Sequence, residues 1–398
     1  MLPKRPAVNH QVMHQINRAV LLDIVRKQPA TTRAKLSDLT GLTRSAISNL
    51  VEELMRSDMI REVGQEESTV GRRGILLALN PDGGSVIAVK FNASSVQCAL
   101  VNLAGGILWH DLVPLSDTDQ AHVLGICRQL IERAMLQNDG ARSLLGIGVA
   151  APGLINNNGD MIYSEFMNWR DVSFRVAWQA EYGVPVSVDN LCSLAALGES
   201  RFGSAIADSH FVYIEIGYGA GAGIVINHQI YQGKNGMAGE VGYLQTYVDD
   251  VSSAPTDWQE LVNIPNFLRI ARRLIDSGCQ TDLKGADLSF GALIRALRMS
   301  DPAACSALSE LCRHLGMGLA SLYNAFDIPV FILGGELGRE YAACLQQLVR
   351  DTERFLVAQP PGGLDLRISR MQPDASLMGA AARVFDTVLI EPSLPVNI

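Results

Sequence analysis

IEIGYGAGAGIVINHQIYQGKNGMAGEVGY, residues 214–243, is the stretch whose reading decides the fold of this 398-residue chain. It opens as an apolar strand, breaks on glycines at 217, 219, 221 and 223, and resumes as a second apolar strand at 224–226. Glycines so closely spaced let a backbone turn at positive φ and bring its N–H groups near an anion without side-chain obstruction. A glycine run alone is more simply a tight hairpin whose glycines serve the turn. The ordered second half favours a ligand-facing role: Gly233, Gly236, Ala238, Gly239, Glu240 and Gly242, followed by Tyr243.

Outward from this stretch, residues 86–91, 96–101 and 105–113 read as three strands, with a helix at about 121–137. A fourth strand at 145–150 runs into Ala151-Pro152-Gly153, and a similar series starts again at Phe211. Such alternation makes the body an α/β protein.

Composition narrows the class. The chain is 48% hydrophobic and 19% charged, which suits a folded protein of two or three domains. No run of about 18 apolar residues suggests a membrane span, and MLPKRPAVNHQ at the start lacks the apolar core of a secretory signal. Seven cysteines (98, 127, 192, 279, 305, 312, 344) lie scattered, unlike a disulfide framework or a zinc knuckle, and point to thiols in a reducing cytoplasm. Net charge is −8 but uneven: residues 1–80 hold 12 Lys/Arg against 8 Asp/Glu, and the remainder holds 21 against 33. A basic head on an acidic body suggests that the head alone approaches a polyanion.

In that head, residues 10–27 read as a helix with Met13, Ile16, Val20 and Ile24 on one face, stopped by Pro29. Thr32 can cap a short helix to about Leu39, Gly41 supplies a left-handed turn, and Thr43 caps the next helix. The apolar face of that next helix is Ile47, Leu50, Val51 and Leu54; Arg44, Ser45, Ser48 and Asn49 face the other way. This spacing gives helix–turn–helix geometry. Two strands at 59–63 and 75–79, joined by a loop with Arg72 and Arg73, complete a wing suited to phosphate or a narrow minor groove. Two short helices are commonly just packed helices, and an arginine pair is commonly a solvated surface. The full ordered set at an N-terminus favours DNA binding. Asn49 is the expected base reader, since its amide pairs bidentately with adenine, and Arg44 is placed for guanine or phosphate.

Taken together, these motifs resemble the ROK family (repressors, unassigned reading frames and sugar kinases) along essentially the whole chain. Besides residues 214–243, the resemblance rests on Asn17 and the GRRG-LLALNP passage at 71–81 in the head. In the body it rests on Ala151-Pro152-Gly153, Asn168-Trp169, DNLCSLAALGE at 189–199, Ile332-Leu333-Gly334-Gly335 and Met378-Gly379-Ala380-Ala381. It implies an N-terminal winged helix–turn–helix at 1–81 and a two-lobed actin-like (ribonuclease-H-like) sugar-kinase-type body. The small lobe would be 82–190, completed by 372–398, and the large lobe 191–371, with a ligand cleft between them.

Kinases of this family place an aspartate after the asparagine of an N-D pair to take the sugar hydroxyl proton. Registered on Ala195-Ala196-Leu197-Gly198-Glu199, this chain has Asn190 and then Leu191 at that aspartate, and leucine accepts no proton. A one-residue slip would offer Asp189 or Asn190 but would break the register. The phosphate motif D-x-G-G-T aligns with Lys90-Phe91-Asn92-Ala93-Ser94, without its acid or glycines. The resemblance therefore implies no kinase activity, no catalytic residue and no cofactor. The family's zinc site uses a histidine where Tyr243 stands and a cysteine loop where residues 244–258 hold neither cysteine nor histidine, so no metal is expected. Asp249 and Asp250 there read as a solvated loop.

The sugar side is better kept. Glu240 and Glu260 match family glutamates that accept hydroxyl hydrogen bonds, and Gly153, Asn168, Asn190 and Tyr243 complete the expected effector lining. Taken singly, Glu240 and Glu260 are as readily surface acids. The expectation is a cytoplasmic DNA-binding regulator, most simply a repressor of carbohydrate genes. It would be a homodimer or homotetramer on a double-stranded operator, with no membrane contact, sensing a sugar or sugar derivative. The alternatives are a ROK sugar kinase with an appended DNA-binding domain, and a regulator controlled by a protein partner with a vestigial cleft.

Overall fold

A computed structural model describes residues 10–66, 73–138, 140, 142–246 and 254–390. The chain forms two compact units, residues 1–194 with 376–398 and residues 195–375.

The first unit opens with α1 (His10–Lys27), β1 (Thr31–Thr32), α2 (Arg33–Thr40) and α3 (Arg44–Arg56), then β2 (Ile60–Gln65) and β3 (Ile75–Leu79), in a sheet of order β1-β3-β2. The helix limits follow local chemistry. The Thr32 hydroxyl accepts from the Lys35 N–H, Gly41 ends α2 at φ 71, and the Thr43 hydroxyl accepts from the Ala46 N–H. Ile47, Leu50, Val51 and Leu54 are all buried. On α1 the face carrying Met13, Ile16 and Val20 is not the one that packs. Met13, Ile16 and Val20 are 44%, 40% and 44% exposed, while Ala19, Leu21, Leu22 and Val25 are buried. At 100° per residue these sets lie on opposite sides of the helix. Alpha1 carries two apolar stripes, and its contacts with β3, α2 and residues 386–390 select the second. The strand expected at 59–63 runs Ile60–Gln65, with a bulge between Glu62 and Gly64.

The same unit continues with β4 (Ser85–Phe91), β5 (Ser95–Asn102), β6 (Ile107–Pro114), α4 (Gln120–Gln137) and β7 (Leu144–Ala151). A small antiparallel arm of β8 (Leu154–Ile155), β9 (Met161–Ser164) and β10 (Trp169–Val172) precedes α5 (Arg175–Tyr182), β11 (Val186–Asn190) and α6 (Leu191–Phe202). The main sheet has order β11-β7-β4-β5-β6: β6, β5 and β4 are antiparallel, and β4, β7 and β11 are parallel. Its strands are apolar, and Phe91, Trp169, Phe174 and Trp178 form a contiguous aromatic core beneath the arm.

The second unit repeats this topology. Beta12 (Phe211–Ile216), β13 (Ala220–Ile226) and β14 (Gln229–Ile230) are antiparallel. A two-stranded piece, β15 (Gln245–Thr246) with β16 (Thr256–Asp257), leads to α7 (Trp258–Val262), α8 (Ile264–Asp276), α9 (Phe290–Arg298) and α10 (Pro302–Phe326). Then come β17 (Val330–Gly334), α11 (Gly335–Gly338), α12 (Leu345–Glu353) and β18 (Asp365–Ile368), and the order is β14-β13-β12-β17-β18. Helix α13 (Ala375–Phe385) returns to the first unit. The architecture is α/β throughout, with a winged helix–turn–helix followed by a two-lobed actin-like body. Among the described residues, no helix is long and apolar enough to cross a membrane.

Candidate functional site

At the head, burial of one face of α3 leaves Arg44, Ser45 and Asn49 exposed and Ser48 half-buried. The Ser45 hydroxyl lies 3.1 Å from that of Thr43. Arg44 and Asn49 have no side-chain partner among the described residues, so both polar ends are available to a ligand. The Glu66 N–H donates to the Gly74 carbonyl at 2.8 Å and closes the base of the wing. Arg73 is exposed at the entry to β3. Arg72 lies outside the described residues.

In the first unit, β7 and β11 run parallel with Ala151 opposite Asn190, which sets Gly153 beside Asn190. Gly153 has φ +95, and a Cβ there would sit 2.3 Å from the Tyr163 carbonyl oxygen, so only glycine fits under the arm. The Asn190 Nδ2 donates to the Gly153 carbonyl at 2.8 Å. Its Oδ1 accepts from the N–H groups of Cys192 and Ser193 at 2.7 and 3.3 Å, capping α6. The side-chain amide is thus engaged at both ends in holding the loop. Asn168 is exposed at the β9–β10 turn with φ 54, and Trp169 anchors that turn by donating to the Thr118 carbonyl at 2.8 Å.

Asp189 precedes Asn190 on β11. It is buried; its Oδ1 accepts from the Asn190 N–H at 2.8 Å, and its Oδ2 lies 3.9 Å from an Arg383 nitrogen. Leu191 opens α6 and is half-buried. At the β4–β5 turn, the Asn92 Oδ1 accepts from the Ser94 N–H, the Ser94 hydroxyl and the Ser95 N–H, each at 2.9 Å. Two backbone donors of this turn are thus bonded to a side chain.

In the second unit, β12 and β13 form the expected hairpin, closed by the Gly217 N–H donating to the Gly219 carbonyl at 2.9 Å. Gly217, Gly219, Gly221 and Gly223 do not take the left-handed conformation; Gly233, Gly236 and Gly239 do. The reason is pairing. Residues 220–223 are held extended by the ladder to β12, and the turns fall in the segment that folds back over it. Gly239 (φ +99) receives the Ala222 N–H at 2.8 Å, and a Cβ would lie 2.0 Å from the Ala222 oxygen. Glu240 follows directly and is half-buried; desolvation holds its carboxyl above the usual glutamate value. Tyr243, exposed, closes the 3-10 turn Val241–Tyr243, against which α7 packs. Glu260 is exposed in the first turn of α7. Glu240, Tyr243 and Glu260 therefore lie on neighbouring elements. Residues 247–253, including Asp249 and Asp250, lie outside the described residues.

Two other motifs have structural explanations. A Cβ on Gly334 would lie 1.8 Å from the Tyr213 hydroxyl, which donates to Glu215 at 2.6 Å, so the Gly334-Gly335 pair admits that phenol. Glu199 is buried and accepts from the Ser204 N–H and hydroxyl at 2.8 and 3.0 Å and from the Ser369 hydroxyl at 2.5 Å. Sequence reading passed over Tyr218, exposed at the hairpin turn, and Phe166, exposed in the β9–β10 turn beside Asn168. In each, the available signal was an aromatic side chain inside a polar or glycine-rich turn.

Comparison with known proteins bears on the whole chain. The pattern of the ROK family matches residues 86–386. A putative xylose repressor of Caldicellulosiruptor sp. (strain Rt8B.4) is 27% identical over 394 residues, spanning 96% of this chain and 99% of the relative. The crystal structure of a ROK family transcriptional regulator, a homologue of the E. coli MLC protein, covers 95% of this chain and 98% of its own at 22% identity and TM-score 0.81. A ROK family glucokinase from Streptomyces griseus, solved with glucose and AMPPNP, covers 75% of this chain and 98% of its own at 24% identity and TM-score 0.66.

Proposed function

The chain belongs to the ROK family, and on that premise we propose that it is a DNA-binding transcriptional repressor of carbohydrate genes whose body senses a sugar or sugar derivative without phosphorylating it. Full-length similarity to a xylose repressor supports the repressor assignment. The observation that carries the non-catalytic reading is at the end of β11. Leu191 occupies the position of the family's base, and its two polar neighbours are engaged elsewhere, Asp189 near Arg383 and Asn190 on Gly153 and α6. The Asn92 turn supports it independently, since its donors are already bonded.

In this reading Arg44 and Asn49 read bases, Ser45 and Ser48 border them, and Arg72 and Arg73 hold phosphates. Gly153, Asn168, Glu240, Tyr243 and Glu260 belong to effector recognition, with Asn190 positioning Gly153. The protein acts in the cytoplasm as a homodimer or homotetramer on a pseudo-palindromic operator. A sugar changes DNA affinity only through unequal affinity for two conformations of the body.

The test has two arms. A coupled ATPase assay over a sugar panel is expected to give no sugar-dependent turnover, and clear turnover would restore the kinase alternative. Thermal-shift screening with mono-, amino- and phospho-sugars is expected to find a ligand. At about 100 times its dissociation constant, such a ligand adds roughly 2.7 kcal/mol. No shift across the panel would favour control by a protein partner.

A further inference from the structure

The cysteines look dispersed in sequence, yet folding of residues 195–375 brings two of them together. Cys312 on α10 and Cys344, at the end of the 3-10 turn Arg339–Cys344, hold their sulfurs 2.6 Å apart. A disulfide bond is about 2.05 Å long, so little further approach is needed to join them. Cys312 is buried and Cys344 is half-buried. The Cys344 thiol lies 3.6 Å from the Tyr341 carbonyl oxygen, which it faces as a donor. The Tyr341 ring is wholly buried beside the pair. Asp351 of α12 is the charged group acting on Cys312. Cys305, two turns earlier on the same side of α10, is exposed.

We propose that Cys312 and Cys344 form a modification site, a dithiol that low-molecular-weight disulfides oxidise to an intramolecular disulfide. The Cys344 thiolate attacks one sulfur of the reagent RSSR and expels RS⁻, giving a mixed disulfide. Cys312 loses its proton to solvent and attacks the Cys344 sulfur, and the second RS⁻ departs. Two cysteine thiols are oxidised, and one RSSR is reduced to two RSH once both leaving groups take up protons. Access sets the order. Cys344 meets the reagent, whereas the neighbouring Cys344 sulfur and burial push the Cys312 thiol up and keep it from reacting first. The bond closes the loop from 312 to 344, which contains β17 and the Gly334-Gly335 pair, and so stiffens that unit.

The test incubates the full chain, under native conditions, with oxidised glutathione. Free thiols are then alkylated, and peptides are mapped by mass spectrometry without reduction. The expected product is a cross-linked Cys312–Cys344 peptide pair lighter by two hydrogens. The unfolding midpoint should rise by several degrees and return on adding dithiothreitol. Cys312→Ser should trap one glutathione on Cys344. Cys344→Ser should leave Cys312 unmodified in the folded protein. The proposal is overturned if wild-type Cys312 and Cys344 are both recovered alkylated while Cys305 is oxidised, or if Cys344 pairs with Cys305. Mapping of the wild type decides the matter even if a serine variant fails to fold.

Discussion

The recognition face of α3 and the loops around Asn190 carry the same kinds of side chain and use them in opposite ways. On α3, the buried stripe Ile47, Leu50, Val51 and Leu54 holds the helix, so Arg44 and Asn49 are left without internal partners among the described residues. Around the body motifs, asparagines do the holding. Asn190 bonds Gly153 and caps α6, and Asn92 gathers three donors into a turn. A polar residue in a ligand-binding motif is available to a ligand only where something apolar has taken over the structural task. That difference is what the proposed function rests on: polar ends left open on α3 and engaged at the body motifs.

The largest effect should come from emptying the α3 face. Arg44→Ala combined with Asn49→Ala is expected to weaken operator binding by about 1–3 kcal/mol per residue, with helix content unchanged, and Asn49→Ala alone should relax preference at one base pair. Fluorescence anisotropy against a selected operator and its single-base variants measures both; unchanged affinity removes α3 as the reader. On the other side of the comparison, Asn190→Ala should cost about 2–3 kcal/mol of stability, since it removes a helix cap and leaves a carbonyl unpaired. Asn190→Asp keeps the cap acceptor and loses only the donor to Gly153, so a smaller loss is expected in urea unfolding. Equal losses would mean that the cap on α6 carries nothing.

A smaller effect concerns Glu240. Its folded carboxyl titrates above the usual glutamate value because burial disfavours the anion. The folded state therefore holds the proton more tightly than the unfolded state. This contribution to stability is fully present below the unfolded value and is lost as pH rises through the folded one. Glu240→Gln should flatten the fall in melting temperature across that window, and effector affinity should rise as pH rises through it in the wild type alone. An unaltered pH profile in the variant would show that Glu240 is not the group responsible. The least effect is expected from Leu191→Asp. An acid restored there leaves the Asn92 turn closed, so sugar-dependent ATP turnover should stay at background; measurable turnover would show that a single residue separated this chain from the kinases.

Much of this was legible from residue order. Thr43 as a cap and Ile47, Leu50, Val51 and Leu54 as a buried face concern partners within one or two helical turns, and strand positions such as β3 follow from short apolar runs. The ordered glycines and Glu240 placed the chain in its family for the same reason, because a hairpin and the segment folding over it are local. What tertiary structure decided was every choice between equivalent local options. Periodicity puts Met13, Ile16 and Val20 on one apolar face, and packing against β3, α2 and residues 386–390 selected the opposite stripe. Asn190 became a positioning residue through a carbonyl 37 positions away, and Cys312 acquired a sulfur neighbour 32 positions away. Short-range hydrogen bonding and periodicity are written into neighbouring residues; the choice of which polar group stays free depends on distant chain that only the folded state brings near.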